Sequence, residues 1–254
     1  NSDSNDEKAT SNELTVKFSN FVGGNERILA FGHMNMFQIL EKSAYKDNSL
    51  INAIIDPLIS KMAALDKKSP IYFAVELNEM NIALVNIEEI INNQEFNAKG
   101  YVYAFVAVSN KNEIKKQLEQ EGILRFKSSD GIDYVQENNA TIALQNDYLM
   151  LMVDLNDNNQ VDISQVKDAI KTMENGKSTD IVNKIMSSTT DFMLTYDMGK
   201  SVSTLMKGLN ISNKESKQLE ADLKGCFNTT NMNFENGKVI LTTENILSPS
   251  MSKW

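Results

Sequence analysis

The chain has 254 residues, with 25 basic and 34 acidic side chains, one His, one Cys and three Pro, for a net charge of −9. One Cys excludes an intrachain disulfide, and one His with one Cys excludes the usual structural zinc sites. The acidic balance argues against nucleic acid or an anionic membrane surface as a partner, because both reward a basic face. Apart from Arg27 and Arg125 every basic residue is Lys, so there is no cluster of guanidinium forks for phosphate.

At about 150 residues per domain the length suits one large domain or two small ones. The apolar content of 41% is ordinary for a chain that buries a core. No apolar run reaches the ~18 residues that a membrane-spanning helix needs.

Residues 1–13 (NSDSNDEKATSNE) contain no large apolar side chain and read as a flexible polar tether. The start at Asn1 rather than Met gives the expectation of an exported protein whose signal segment is removed upstream. Residues 14–254 read as one α+β domain. Within it Arg27–Met34 is a strand, and Asn35 caps a helix whose Met36, Ile39, Leu40 and Ser43 share a face. Leu50, Ile51, Ile54, Ile55, Leu58, Ile59 and Met62 form the stripe of an amphipathic helix over 48–65, kinked at Pro57. The strand IYFAVEL follows Ser69-Pro70, and NIALVN (81–86) is expected to fold back on it across Asn78-Glu79.

Tyr101–Val108 reads as a strand, with Ser109 capping a helix that ends at Gly122. Two hairpins come next: Ile123–Lys127 with Ile132–Gln136 around Asp130-Gly131, and Thr141–Leu144 with Tyr148–Val153. Helices are predicted near Ile163–Met173 and Thr179–Met186, a strand at Phe192–Tyr196, and helices around Ser201–Leu209 and Lys214–Leu223. Asn236-Gly237 joins the closing hairpin, NTTNMNFE with KVILTTE. Hairpins separated by helices, rather than strict β-α-β alternation, define an α+β fold with a mainly antiparallel sheet built from hairpins and helices packed on it.

The segment AFGHMNMFQIL (30–40) echoes FMLTYDMGKSV (192–202): each is an apolar strand, an Asn or Asp cap, then a helix. The echo suggests an internal duplication with a repeat boundary near 175–190. The order of IYFAVEL, GYVYAFVAVSNKNEIKKQLEQEG and SSDGIDYVQENNATIALQNDYLMLM, closed by NMNFENGKVILTTE, resembles an uncharacterised family of lipoproteins from Bacteroidota, a domain of unknown function with duplicated α+β halves. The resemblance spans about residues 26–247, with 86–98 as an insertion. It implies an exported, lipid-anchored envelope protein, and it carries no catalytic residue.

Candidate chemistry is sparse. Asp197-Met-Gly199-Lys200-Ser201 sits between strand and helix, but Leu194 stands where a phosphate loop needs its first Gly. His33 has no activated serine to serve, and Cys226 has no base beside it in sequence. The thirteen Met fall mostly at apolar positions, as core filling rather than a soft-metal site, and Glu88-Glu89 has no matched acid for glycoside hydrolysis. In the loop after residue 153, Asp154, Asn156, Asn158, Gln160 and Asp162 match calcium-loop positions, with neutral Gln165 where a bidentate Glu belongs. The competing reading is an Asn/Asp-rich turn whose Asp162 caps the next helix.

No cofactor is expected, calcium being the one candidate. The sequence therefore predicts a cell-envelope protein, anchored by a lipid upstream of Asn1, that acts as a non-enzymatic binding or structural module. Its expected partner is a protein or a glycan, with no nucleic acid and no membrane contact except through the anchor. The alternatives are an enzyme whose site is assembled from distant residues, and a calcium-dependent adhesion module.

Overall fold

A computed structural model describes residues 3–43, 56, 65–81, 97–120, 122, 124–155, 161–235, 237–248 and 251. Ten strands run through it: β1 (Ile28–Met34), β2 (Ile71–Asn81), β3 (Asn97–Ala107), β4 (Lys127–Ser129), β5 (Ile132–Glu137), β6 (Ala140–Leu144), β7 (Tyr148–Asp154), β8 (Phe192–Asp197), β9 (Phe227–Glu235) and β10 (Lys238–Ile246). They form one sheet in the order β10-β9-β8-β1-β2-β3-β7-β6-β5-β4. Every pairing is antiparallel. The α+β architecture expected from the hairpin spacing is the observed one.

Strand alternation gives the sheet two unlike faces. On the first, Tyr72 and Ala74 of β2, Tyr103 and Phe105 of β3, and Met150 and Met152 of β7 are buried. Helix α1 (Asp3–Gly24) crosses this face. Its Leu14, Phe18, Phe21 and Val22 recur at helical spacing and are all in the core. Phe18 stacks on Tyr72 at 4.9 Å and meets Phe105 edge-on, while Phe21 meets Tyr103 at 4.9 Å and Phe105 at 5.3 Å. Lys17, on the flank of α1, reaches Asp147 in the β6–β7 turn at 2.6 Å. Helices α4 (Ile163–Asn175) and α5 (Asp180–Met186) pack beside α1 and add Val166, Met173, Val182 and Ile185 to the same core. On the second face Phe73, Val75, Val102, Ala104, Leu151 and Val153 are half-buried. Helix α3 (Lys111–Gln120) covers only a corner of it, placing Ile114 against Val108 and Leu144.

The echoed segments lie side by side. β1 and β8 are neighbours, with Gly32 opposite Leu194, and each runs directly into a helix, α2 (Met36–Lys42) and α6 (Met198–Gly208). α6 packs on β2 and α2 packs on β9, so each helix contacts a strand from the other side of the β1–β8 pair. This arrangement is consistent with the internal duplication that the echo suggests. The two caps nevertheless differ. Asp197 accepts from the Lys200 N–H at 3.0 Å, whereas the Asn35 side chain makes no cap bond and donates instead to the Thr190 carbonyl at 2.7 Å.

Several expectations are corrected. α1 begins at Asp3, inside the segment read as a tether, and its buried stripe runs from Leu14 to Val22. No turn forms at Asn78-Glu79: β2 continues to Asn81 and pairs with β3 up to Asn97, with a bulge at Asn78 that shifts the register by one residue between Leu77 and Glu79. The cap of α3 is Asn110, whose side chain accepts from the Glu113 N–H at 3.1 Å, rather than Ser109. The helix expected over 48–65 and the strand over 82–86 lie outside the described residues, apart from Asp56 and Leu65. Both turns marked by glycine are present, with φ of 52° and 81° at Asp130-Gly131 and 78° at Gly237.

Two measurements check this account. Phe18→Ala removes a fully buried ring from the α1–sheet contact and should cost about 3–5 kcal/mol in urea unfolding. Gly237→Val forces a β-branched residue into a left-handed conformation and should lower stability by more than ~1 kcal/mol. An unchanged melting temperature would remove the closing turn from the picture.

Candidate functional site

A cleft of about 900 Å³ opens at the end of the sheet where β8 stops and β1 and β9 begin. Local chemistry builds its walls. The Asp197 carboxylate caps α6, its backbone carbonyl takes the Ser201 hydroxyl at 2.7 Å, and the Met198 N–H is bonded to the Cys226 carbonyl. Helix α7 (Lys214–Leu223) starts in a reciprocal cap between Asn213 and Ser216. Gly199 lets α6 approach the end of α7, since a Cβ there would lie 3.0 Å from the Leu223 carbonyl oxygen. α6 and α7 form one wall, and the end of α1 with the start of α5 forms the other.

The floor is apolar: Val22, Ile28, Leu29, Phe31, Val182 and Phe227 line it. Around it stand Arg27, Lys200, Lys207, Lys217 and Lys224, against the acids Glu26, Asp197 and Glu220. The cleft is therefore net basic on a chain of charge −9. Lys200 is engaged, donating to the Ile28 carbonyl at 3.1 Å with Asp197 3.7 Å away. Lys207, Lys217 and Lys224 are exposed and form no ion pair among the described residues.

Beside the cleft lies a buried carboxylate, Glu76, only 4% exposed. Asn25 and Tyr103 each donate to it at 2.9 Å, and the Arg27 guanidinium is 3.7 Å away. Burial, and then the Glu76 charge, push the Tyr103 hydroxyl far above its ordinary range, so it remains a donor. This cluster fixes the turn from α1 into β1 and so positions Arg27 at the cleft mouth.

Of the residues singled out in the sequence, Asp197, Gly199 and Lys200 line the cleft, and the others do not converge there. His33 is 2% exposed on the helix-covered face. Its Nε2 lies 2.9 Å from the Thr190 carbonyl, which makes that nitrogen the protonated one, and Nδ1 has no partner among the described residues. Cys226 is buried, with its sulfur accepting from the Ser248 N–H at 3.3 Å. Met150, Met152, Met173, Met186 and Met193 are core residues. Of the calcium-loop candidates, Asn156, Asn158 and Gln160 lie outside the described residues. Asp154 is buried at the end of β7, and Asp162 caps α4, accepting from the Ser164 N–H at 3.0 Å. Gln165 closes the reciprocal cap through the Asp162 N–H and also donates to Tyr101. Asp162 thus acts as the cap that the turn reading described. No group of three or more His, Cys, Asp or Glu suited to a metal occurs among the described residues.

In the sequence the cleft shows only at Asp197, Gly199 and Lys200, in the segment set aside as a phosphate loop. Lys207, Lys217 and Lys224 read as the polar sides of ordinary helices, and the floor comes from segments as far apart as Val22 and Phe227.

Fold and cleft together define an antiparallel α+β domain with a basic-rimmed, apolar-floored cleft at one end of the sheet. No family model matches the chain, and no curated protein matches it. Solved structures of TP0453 in crystal forms III, IV and I resemble it with TM-scores of 0.49, 0.47 and 0.47. Each is 10% identical and covers 91% of this chain, which spans 79%, 80% and 78% of those chains. A likeness of this size says nothing about chemistry. The resemblance to the Bacteroidota lipoproteins has no matching family model behind it.

Burial holds the His33 imidazole below its ordinary 6.5. The folded chain therefore binds that proton less readily than the unfolded one. The resulting stability is complete above pH 6.5 and is lost as the pH falls below it. Between about pH 7.5 and about pH 5 the protein should lose more stability than His33→Gln, which keeps a donor for Thr190 without titrating. Parallel curves in urea unfolding would contradict this.

Proposed function

We propose that this protein is a non-enzymatic binding module of the bacterial cell envelope, held by a lipid anchor, whose cleft receives an anionic ligand with an apolar part. The observation that carries the binding role is the pairing of an apolar floor with Lys207, Lys217 and Lys224, cations without ion-pair partners among the described residues. Pockets of this size with a few convergent polar groups are the usual form of a ligand site. Binding is favoured over bond-breaking because His33 and Cys226 both lie outside the cleft lining. The envelope placement rests on the polar leading segment, the acidic surface and the lipoprotein-like order of hairpins. A protein or glycan partner fits the cleft only if it presents acidic groups beside apolar ones.

Titration calorimetry with dodecyl phosphate, dodecyl maltoside and inorganic phosphate tests the ligand class. Dodecyl phosphate should bind, more weakly as salt rises, and the other two should bind far less. Replacing Lys207, Lys217 and Lys224 together by Glu should weaken binding about tenfold, the sum of three exposed charge contacts of ~0.5 kcal/mol each. Equal binding of the neutral detergent would overturn the reading. For the envelope claim, the native host should yield an acylated protein in the membrane fraction, and an unacylated soluble product would refute it.

A further inference from the structure

We propose that the protein self-associates through the free edge of β10, two copies pairing antiparallel about a dyad at Leu241 to join their sheets into one. β10 is the last strand of the sheet, and no strand among the described residues pairs with its outer side. It is nine residues long and runs in unbroken register along β9, from Lys238 opposite Glu235 to Ile246 opposite Phe227. Natural sheets guard such edges by shortness, bulges, Pro or charges along the strand. The opposite edge, β4, has three residues and is guarded in this way. β10 has no Pro and no register shift, and its only charges are Lys238 and Glu244. Between them Val239 and Leu241 are 54% and 59% exposed. Both continue the half-buried apolar second face, since Leu241 lies opposite Met232, Met232 opposite Phe192, and Val239 opposite Phe234.

The charges select the partner and the register. Antiparallel pairing of β10 with a second β10 about Leu241 sets Lys238 opposite Glu244 of the partner subunit, and Glu244 opposite the partner's Lys238. Leu241 then meets itself, Val239 faces Thr243 of the partner subunit, and Ile240 faces the partner's Thr242. A slip of two residues in either direction removes both ion pairs, leaving Lys238 opposite a Thr or an Ile. Glu244 makes no ion pair within the chain among the described residues. Lys238 lies 3.0 Å from Glu235, where both side chains are about half exposed, an ion pair loose enough to be shared with a second acid. The strand is thus complementary to its own copy in charge as well as in backbone pairing. One strand pair buries less than a standard interface, so the dimer is a weak one that dissociates on dilution.

Sedimentation equilibrium of the 254-residue chain over a concentration series reads the association. The expected result is a monomer–dimer equilibrium in the micromolar to millimolar range, with β10 amides protected from hydrogen exchange as dimer accumulates. Lys238→Glu or Glu244→Lys alone places like charges at both ends of the pairing and should weaken the dimer at least tenfold. Combining Lys238→Glu with Glu244→Lys should restore it. Leu241→Lys should abolish it while the monomer keeps its circular dichroism. A monomer at every concentration overturns the proposal. A dimer indifferent to single charge reversal, or one that the double reversal fails to restore, overturns it too, because association then uses another surface.

Discussion

The packing of the α1 aromatic pair on the centre of the sheet is the contact on which the other elements depend. Phe18 and Phe21 lie over Tyr72, Tyr103 and Phe105, on the two strands that stand in mid-sheet. Aromatic rings of this size bring the largest apolar areas into a core, and edge-on or offset contacts add to that burial. α4 and α5 then pack against α1, and their apolar stripes join the same cluster. α1 brings Phe18 and Phe21, both fully buried, to the covered face, and its end forms a wall of the cleft.

Buried carboxylates hold the ends of the strands in place around that core. Asp191, which is fully buried, takes Lys42 from α2 at 2.6 and 2.8 Å and the Phe234 N–H of β9 at 2.7 Å. Glu76 ties the end of α1 to β2 and β3. Asp197 starts α6. Asp191 and Glu76 each satisfy donors contributed by different elements, and removing one side of such a contact leaves a buried polar group unpaired. The pegs therefore specify which elements meet at each end of β8 and β1, and the cleft lies at the Asp197 end.

The sheet uses its two faces differently. One is closed by helices and carries the core, while the other is apolar but only half-buried among the described residues and runs out to exposed Val239 and Leu241 on the edge. Helix-covered strands supply stability, and the proposed contacts with other molecules use the cleft and the β10 edge. On an acidic chain, Lys207, Lys217 and Lys224 stand at the cleft without ion pairs among the described residues. Such a local reversal of sign is the electrostatic basis of the anionic ligand proposed for it.

By itself the sequence determined what depends on a few neighbouring residues. The turns at Asp130-Gly131 and Gly237, the caps of Asp162 and Asp197, and the α+β class from hairpin spacing all appear as read. Such signals are local because a turn or a cap is satisfied within three or four residues. Tertiary structure decided the rest. Asn35 has the residue type of a cap, yet the Thr190 carbonyl, far along the chain, draws its side chain away. Asn78-Glu79 has the look of a turn, yet β3 pairs with β2 on both sides of it and Asn78 is taken up as a bulge. The stripe of α1 is written in Leu14, Phe18, Phe21 and Val22, but burial is non-directional, so no spacing states which strands those rings will meet. The cleft joins Val22 to Phe227 only because the two strand–helix units fold about β1 and β8.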